Sequence, residues 1–247
     1  MTQLRVISWN LHGAAKPRLD AVADLLRAHQ PDLVALQEVH RSQARRIAGL
    51  LGWPRPAWAL KHNAYWPLWW RGEGLGVLSR HRLAVLPTVV LTPEYHRRTY
   101  RRRILLPVEV VLEGDRRVLA IDGHLSSGDE DEDLRTREVH QLVGILPESL
   151  PVLVAADLNA DPDQPPVTAL VDAGFVDSWA AAGTGPGHGF TIPANAPRRR
   201  IDYVMVRGPV RVREAKVIDD LGAAMAGLSD HRPVLAELEV DAPEPRA

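Results

Sequence analysis

The stretch VLVAADLN, residues 152–159, decides the fold class of this chain. Its apolar run from 152 to 156 predicts a strand that is buried on both faces, and the run stops at Asp157 and Asn159. Asp and Asn hydrogen-bond their own backbone at turns, so either residue alone has a structural explanation. A catalytic or metal site is the alternative, and it is favoured if other buried strands also end in polar residues.

Strands and amphipathic helices alternate along the rest of the chain. The patterns predict strands at 4–10, 32–39, 75–80, 83–91, 151–158, 201–206, 210–218 and 233–240, a hairpin at 104–125, and helices at 17–30, 41–53, 129–150 and 165–175. Helices beside buried strands indicate covered sheets, and hairpins require that the sheets be mixed. We therefore expect an α/β (α+β) fold. An irregular stretch is expected to follow the helix at 41–53 and to extend to about residue 73. We predict a single domain at 1–240 and a frayed tail at 241–247.

Composition excludes several classes of function. The chain has 247 residues, enough for a large core, and no cysteine, which excludes disulfides, thiolate metal sites and a cysteine nucleophile. Neither a signal sequence nor a membrane-spanning run is visible, so we expect a cytoplasmic protein without integral membrane association. The formal net charge of −1 gives no support to a protein that binds long nucleic acid mainly through its phosphates.

Polar residues also end the other predicted strands. Turn formation is a weak explanation for Glu38 and His231, because neither residue type is favoured in turns. The whole set of polar strand-end residues comprises Asn10, Glu38, Asp122, His124, Asp157, Asn159, Asp202, Asp230 and His231.

This set contains the groups that hydrolysis of a phosphate ester needs. Such a reaction requires an activated water, a cation that neutralises the phosphate, and help for the leaving oxygen. Glu38 suits a hard divalent cation such as Mg²⁺, which takes few carboxylate ligands. His231, oriented by Asp202, is either a base or a phosphate donor. Asp157 is expected to hold and deprotonate the attacking water.

Short motifs spread over nearly the whole chain carry a resemblance to a known family. They are SWNLHG (8–13), LQEV (36–39), GLGVLSR (74–80), DGHL (122–125), ADLNA (156–160), RRIDYVMV (199–206) and SDHRPV (229–234). In this order they resemble the endonuclease/exonuclease/phosphatase superfamily, which has the DNase-I-like fold. The resemblance implies a four-layer sandwich of two packed mixed β-sheets flanked by helices, with a site for Mg²⁺ or Mn²⁺ at one end.

The resemblance also implies a role for each matching residue. Asp202 is similar to the aspartate that orients the catalytic histidine, and His124 to the histidine that assists the leaving group. Many members have Asn where this chain has Asp122, and we expect the Asp122 carboxylate to raise the pKa of His124. The implied catalytic residues are His124, Asp157, Asn159, Asp202 and His231, the metal-binding residues are Glu38, Asn10 and Asp230, and the residues for the substrate phosphate are Arg103, Asn159 and His124.

These roles predict a monomeric, Mg²⁺- or Mn²⁺-dependent phosphodiesterase. Its substrate is a phosphoester in a small molecule, a lipid head group or a nucleic acid. A nuclease for DNA or RNA is one alternative, with the arginines of HRRTYRRR (96–103) as a rim that binds the strand. A non-catalytic phosphate-binding module on the same fold is the other. The acids of GDEDED (128–133) complement a helix start, and near the site they would disfavour a long polyanion.

Aromatic and histidine residues elsewhere have simpler interpretations. The tryptophans of AYWPLWWRGEG (64–74) either pack on the domain or stack a base or head group. Five histidines are expected at the surface: His29, His40, His62, His81 and His140.

Overall fold

The computed structural model describes residues 1–63, 72–185 and 187–241. Its strands are β1 Thr2–Asn10, β2 Leu33–His40, β3 Ala57–His62, β4 Glu73–Ser79, β5 Arg82–Val85, β6 Val89–Val90, β7 Ile104–Val111, β8 Arg117–His124, β9 Val152–Asp157, β10 Val176–Asp177, β11 Asp202–Arg207, β12 Val210–Val217 and β13 Val234–Val240. Its helices are α1 Leu19–His29, α2 Arg41–Leu51, α3 Glu132–Gly144, α4 Pro165–Asp172 and α5 Ser178–Ala182. Single 3₁₀ turns lie at Gly13–Ala15, Glu113–Asp115, Asp129–Asp131 and Gly222–Gly227.

The strands form two mixed sheets. One has the order β12-β13-β1-β2-β4-β3, and the other has the order β10-β11-β9-β8-β7-β5, with β6 also paired to β7. In each sheet one pair is parallel, β1 with β2 and β8 with β9, and the remaining pairs among the described residues are antiparallel.

Apolar cores separate the layers. The core between the two sheets includes Val6 of β1 and Val108 of β7, both fully buried. A second core lies between the first sheet and helices α1 and α2, and a third lies between the other sheet and helices α3 and α4. Helix, sheet, sheet and helix therefore stack in that order, which confirms the predicted four-layer sandwich.

Strand register brings the polar strand ends to one edge of the sandwich. β8 and β9 run parallel with His124 opposite Asp157, and β11 runs antiparallel to β9 with Asp202 opposite the same Asp157. In the other sheet, β1 and β2 run parallel with Asn10 opposite Gln37. Because the sheets pack face to face, these ends meet, and Asn10 donates a hydrogen bond across the two sheets to Asp157.

Several predicted boundaries were wrong for local reasons. β3 lies in the stretch that was expected to be irregular, and β10 and α5 were not predicted. Helix α3 ends at Gly144 rather than at 150, because Pro147 disfavours helical backbone in the residue before it. Pro87 separates β5 from β6 within the single strand expected at 83–91, because proline cannot donate to the ladder.

Two predictions fall largely outside the described residues. The tryptophans at 66, 69 and 70 lie in the undescribed range 64–71, and most of the tail predicted at 241–247 is likewise undescribed. Among the described residues, no helix is both long enough and apolar enough to cross a bilayer.

Candidate active site

A cavity of about 250 Å³ opens at the edge where the polar strand ends meet. Of the predicted site residues, Asp202 lies behind His231, and Asp230 is not among the residues that line the cavity. The lining residues are Asn10, Glu38, Lys61, His62, Glu73, Tyr100, Arg103, His124, Ser127, Asp157, Asn159 and His231.

Asp157 is the buried carboxylate at the centre of the site. Asn10 Nδ2 donates to its Oδ2 at 2.9 Å, and the backbone N–H of Asn159 donates to its Oδ1 at 3.0 Å. Asn159 has a left-handed backbone with φ 49°, a conformation that asparagine tolerates better than most residues. Burial, reinforced by the charge of Asp202, raises the pKa of Asp157 to about 7, although His231 and Asn10 oppose the shift.

His231 forms a buried dyad with Asp202. Its Nδ1 lies 2.8 Å from Asp202 Oδ2, so Nε2 is the ring nitrogen available to a ligand. The backbone on either side is fixed, because Trp9 Nε1 donates to His231 O at 3.0 Å and His231 N donates to Ser229 Oγ at 3.0 Å. Burial alone lowers the pKa of His231, but the charge and hydrogen bond of Asp202, with help from Asp157, raise it to about 10. An imidazole whose pKa is raised in this way keeps its proton near neutral pH, which favours phosphate binding over the role of a base.

Glu38 occupies a β-bulge. The pairing of β2 with β4 shifts between Leu36 and Val39, and Glu38 has a left-handed φ of 51°. A bulge turns a side chain out of the ordinary alternation, and here it presents the carboxylate to the cavity. The backbone is packed closely behind it, because a Cβ on Gly13 would lie 2.4 Å from Glu38 O. Burial, and then the nearby charge of Glu73, raises the pKa of Glu38.

The chemistry of these donors fits a hard divalent cation. The Glu38 carboxylate faces the cavity and is 24% exposed, with His124 Nδ1 3.8 Å from its Oε1, so the residues present leave room for a cation beside it. Asp157, Asp202 and His231 also offer ligand atoms that lie within 4.8 Å of one another. Of these three, His231 and Asp202 are already paired with each other, with Nδ1 2.8 Å from Oδ2.

Asp230 does not join this group. Its side chain is 49% exposed, and its Oδ1 lies 3.2 Å from His12 Nδ1. It therefore pairs with the loop that follows β1 and does not line the cavity, and its role as a metal ligand stays a prediction.

Arg103 is a buried cation without an acidic partner. Its guanidinium donates to Tyr100 O at 2.7 Å and to Ser127 Oγ at 3.2 Å, and its Nε finds no acceptor among the described residues. No described carboxylate lies within ion-pair distance, and Glu138, Glu73, Asp157 and Glu38 act on Arg103 only from farther away. A desolvated charge of this kind needs an anion, and the cavity is the place where one can bind.

His124 is a neutral imidazole, contrary to the prediction from Asp122. Burial, and then the charges of Lys61 and Arg103, hold the pKa of His124 well below its usual value. Asp122 lies in the core, where it accepts from Gln37 Nε2 at 2.8 Å and from Gly76 N at 3.0 Å. Burial raises the pKa of Asp122 well above its usual value, so its environment disfavours the charge that would raise the pKa of His124.

The cavity also contains residues that the sequence did not single out. They are Lys61, His62 and Glu73 on β3 and β4, and Tyr100 and Ser127 on loops. His62 was expected at the surface but lines the cavity, and His29 is buried with its Nε2 2.7 Å from Asp220 Oδ2. A usable signal existed for Lys61, because AWALKH alternates with the period of a strand and places lysine on the same face as two alanines.

Comparisons with known proteins agree with this architecture. The model of the endonuclease/exonuclease/phosphatase family matches residues 7–231. An endonuclease/exonuclease/phosphatase from Beutenbergia cavernae is similar with 26% identity and a TM-score of 0.80, covering 98% of this chain and 73% of that one. No curated protein matches the chain.

Two more distant structures show the same fold. The endonuclease/exonuclease/phosphatase from Bacteroides vulgatus is 19% identical with a TM-score of 0.81, covering 98% of this chain and 100% of that chain. A mannosyl-6-phosphatase from Bacteroides thetaiotaomicron is 17% identical with a TM-score of 0.76, covering 96% of this chain and 99% of that chain. At these identities the likeness concerns the fold alone.

Proposed function

The chain belongs to the endonuclease/exonuclease/phosphatase family, whose members hydrolyse phosphate ester bonds, and from that premise we propose that it is a phosphodiesterase dependent on Mg²⁺ or Mn²⁺. One observation carries the proposal. One small cavity is lined by a buried guanidinium whose Nε has no acceptor among the described residues, Arg103, and by a carboxylate that a bulge turns inward, Glu38. The first supplies a place for an anion and the second a place for a cation, which are the two partners of metal-assisted phosphoester hydrolysis.

Asp157 is the base in this proposal. A base works best when its pKa lies near the working pH, and the pKa of Asp157, about 7, meets that condition. Asn10 and Asn159 hold both carboxylate oxygens, so the base has a fixed direction. It would orient a water for in-line attack on the phosphorus and remove its proton.

The phosphate is bound by cations on the other walls of the cavity. His231 donates from Nε2 to a phosphoryl oxygen, and Arg103 donates from its guanidinium. These charges stabilise the negative charge that builds up in the transition state. The neutral imidazole of His124 donates one hydrogen bond to the leaving oxygen.

Glu38 is the proposed metal ligand, with Asp157 facing the same cavity and Asn10 bracing that carboxylate. When bound beside Glu38, a divalent ion would supply positive charge to the phosphate and Lewis acidity to the attacking water.

Removal of the metal tests this proposal. Hydrolysis of bis-p-nitrophenyl phosphate should stop in EDTA and return with Mg²⁺ or Mn²⁺. Glu38→Gln should weaken metal binding in calorimetry by at least about tenfold, because even groups that only orient a metal ligand contribute about 10- to 100-fold. Glu237→Gln, at an exposed pair with Arg5, is the matched control and should bind metal normally. Activity that persists in EDTA, or unchanged metal binding by the Glu38 variant, contradicts the metal role.

A nuclease is the second candidate, and Tyr100 favours it. Its side chain is 60% exposed, yet it lines the cavity, and the adjacent Arg97 and Arg98 are exposed as well. An aromatic ring beside free arginines is a common way to bind single-stranded nucleic acid. Arg101 lies 3.5 Å from Glu130 and so partly neutralises the acidic segment at 128–133. This weakens the repulsion that the segment would exert on a nucleic acid.

A double variant separates the two candidates. If the substrate is a nucleic acid, Arg97→Ala with Arg98→Ala should slow oligonucleotide hydrolysis at least about tenfold and flatten its dependence on salt. Hydrolysis of bis-p-nitrophenyl phosphate should stay unchanged, since that substrate is too small to reach both arginines. Equal loss with both substrates, or no loss with the oligonucleotide, argues against a strand-binding rim.

A further inference from the structure

Lys61 occupies a position that the strand pattern assigns to the core. Along β3 the buried residues are Ala57, Ala59 and Lys61, and the two alanines belong to the core between the sheets. Lys61 itself is 3% exposed. Lysine is almost never buried to this degree unless it is paired, and the sequence is otherwise nearly free of lysine, with only Lys16 and Lys216 besides.

The backbone around Lys61 is built to direct its side chain. The pairing of β3 with β4 steps from Leu60 opposite Gly74 to His62 opposite Glu73, so Lys61 is the extra residue of a bulge. Arg102 is buried and donates from one nitrogen to Leu60 O at 2.9 Å and to Lys61 O at 2.6 Å. Bulges of this kind often re-aim a side chain beside an active site.

Glu73 holds the ammonium group of Lys61, but this ion pair does not explain why the ammonium group lies at the cavity. Lys61 Nζ lies 2.5 Å from Glu73 Oε1, and both residues line the cavity. An ammonium has three donors, so one carboxylate oxygen leaves capacity for a further acceptor.

A second cation in the cavity makes an anion the expected occupant. Arg103 and Lys61 both line it, and burial followed by the charge of Arg103 lowers the pKa of Lys61. Two like charges that face one cavity repel each other, and an anion bound between them turns that repulsion into attraction. Lys61 also acts electrostatically on Glu38 and His124, which places it among the residues of the proposed reaction.

We propose that Lys61 is a substrate-binding residue that, together with Arg103, binds the non-bridging oxygens of the phosphoester, and that Glu73 positions its ammonium group. The inference rests on the proposed function, because it takes the cavity as the phosphoester site. It predicts that the positive charge at position 61 matters for the substrate and that the charge at position 73 matters mainly for the orientation of Lys61.

Three variants test this assignment: Lys61→Met, Glu73→Gln, and the two combined. The probes are kcat/KM for bis-p-nitrophenyl phosphate and competitive inhibition by inorganic phosphate, both with Mg²⁺. Lys61→Met should weaken phosphate inhibition and lower kcat/KM by about 10- to 100-fold, the usual effect of losing a hydrogen bond from a charged group. Glu73→Gln keeps the ammonium and should change phosphate inhibition far less. The combined variant should behave like Lys61→Met.

A merely structural ion pair gives a different pattern. Then both single variants should lose thermal stability and activity alike, and the combined variant, which leaves no buried charge unpaired, should regain both. That recovery overturns the inference, as does a folded Lys61→Met protein with normal kinetics. If Lys61→Met does not fold, the combined variant supplies the measurement. Lys216→Met, on β12 at the opposite edge of the first sheet, is the control and should be normal.

The two proposals fail in distinguishable ways. A wild-type protein without metal-dependent hydrolysis contradicts the proposed function. An active wild-type protein whose Lys61 variants remain equally active contradicts the role of Lys61 alone.

Discussion

Asp157→Asn should lower kcat for bis-p-nitrophenyl phosphate by about 10² to 10⁴-fold while the protein stays folded. Asparagine keeps the shape of the side chain, and its single carboxamide oxygen can keep one of the two hydrogen bonds that Asp157 accepts from Asn10 and from the backbone of Asn159. It cannot accept a proton from water, so the loss isolates the chemistry of the base. Steady-state kinetics with Mg²⁺, together with a thermal melting curve, measure both parts of this prediction.

The pH dependence follows from the raised pKa of Asp157. Since the base must be ionised, the wild-type rate should rise as pH passes through about 7, and this limb should vanish in Asp157→Asn. A bound cation stabilises the carboxylate, so higher Mg²⁺ should move the limb to lower pH.

Stability should change in the opposite direction from activity. A folded-state pKa of about 7, above the ordinary 3.8, means that the wild-type protein loses stability as pH rises from about 4 through 7. The variant lacks this loss, so above pH 7 it should melt at the same temperature as the wild type or higher.

Asp161→Asn is the matched control for the base. Asp161 follows the same strand by a few residues, but it pairs with Arg199 at the surface, at 2.9 Å. Exposed pairs of this kind contribute about 0 to 1 kcal/mol, so the control should retain normal kinetics and nearly normal stability. If Asp157→Asn keeps its activity within a factor of a few, Asp157 is not the base.

His231→Ala should reduce kcat/KM by a similar factor, about 10² to 10⁴. The reason differs, because this variant removes a buried positive charge rather than a base. Inhibition by inorganic phosphate should weaken in parallel, which would not follow if His231 acted only on the attacking water. An unchanged inhibition constant in an inactive, folded variant therefore argues against the phosphate-binding role.

Asp202→Asn separates the charge of His231 from its presence. Asp202 is the largest influence that raises the pKa of His231, and burial opposes it, so removing the carboxylate should lower the pKa from about 10. Nuclear magnetic resonance of the His231 ring should show the shift directly. Activity needs the protonated His231 ring, so as pH rises the variant should lose activity at a lower pH than the wild type. Asp220→Asn, which removes the partner of His29, is the control and should leave the pKa of His231 unchanged. If the His231 ring has the same pKa in Asp202→Asn as in the wild type, the dyad is contradicted.

The sequence predicted the layers and the edge that carries the site because both depend on local pattern. Runs such as 152–156 are apolar at every position, which identifies strands buried on both faces. The residues that end these runs, such as Asp157 and His124, must then lie at strand ends. Parallel pairing of β8 with β9 places those ends side by side, as the observed register shows.

Sequence reasoning failed where two distant segments decide the outcome together. Lys61 and Glu73 belong to adjacent strands of which the first was not predicted, so their pairing could not be inferred. Asp122 looked like a charged neighbour of His124 along the chain. In the fold it accepts from Gln37 and Gly76 in the core, where burial raises its pKa well above the usual value and so disfavours its charge.

By itself, then, the sequence determined which side chains end the buried strands, since hydrophobic periodicity is written residue by residue. The tertiary structure alone decided which of them share a cavity and what charge each carries. Asp230 is left outside with His12, Glu38 is turned inward by a bulge, and His231 is charged because Asp202 lies against it. Charge depends on burial and on neighbours within a few ångströms, and those neighbours come from segments far apart along the chain.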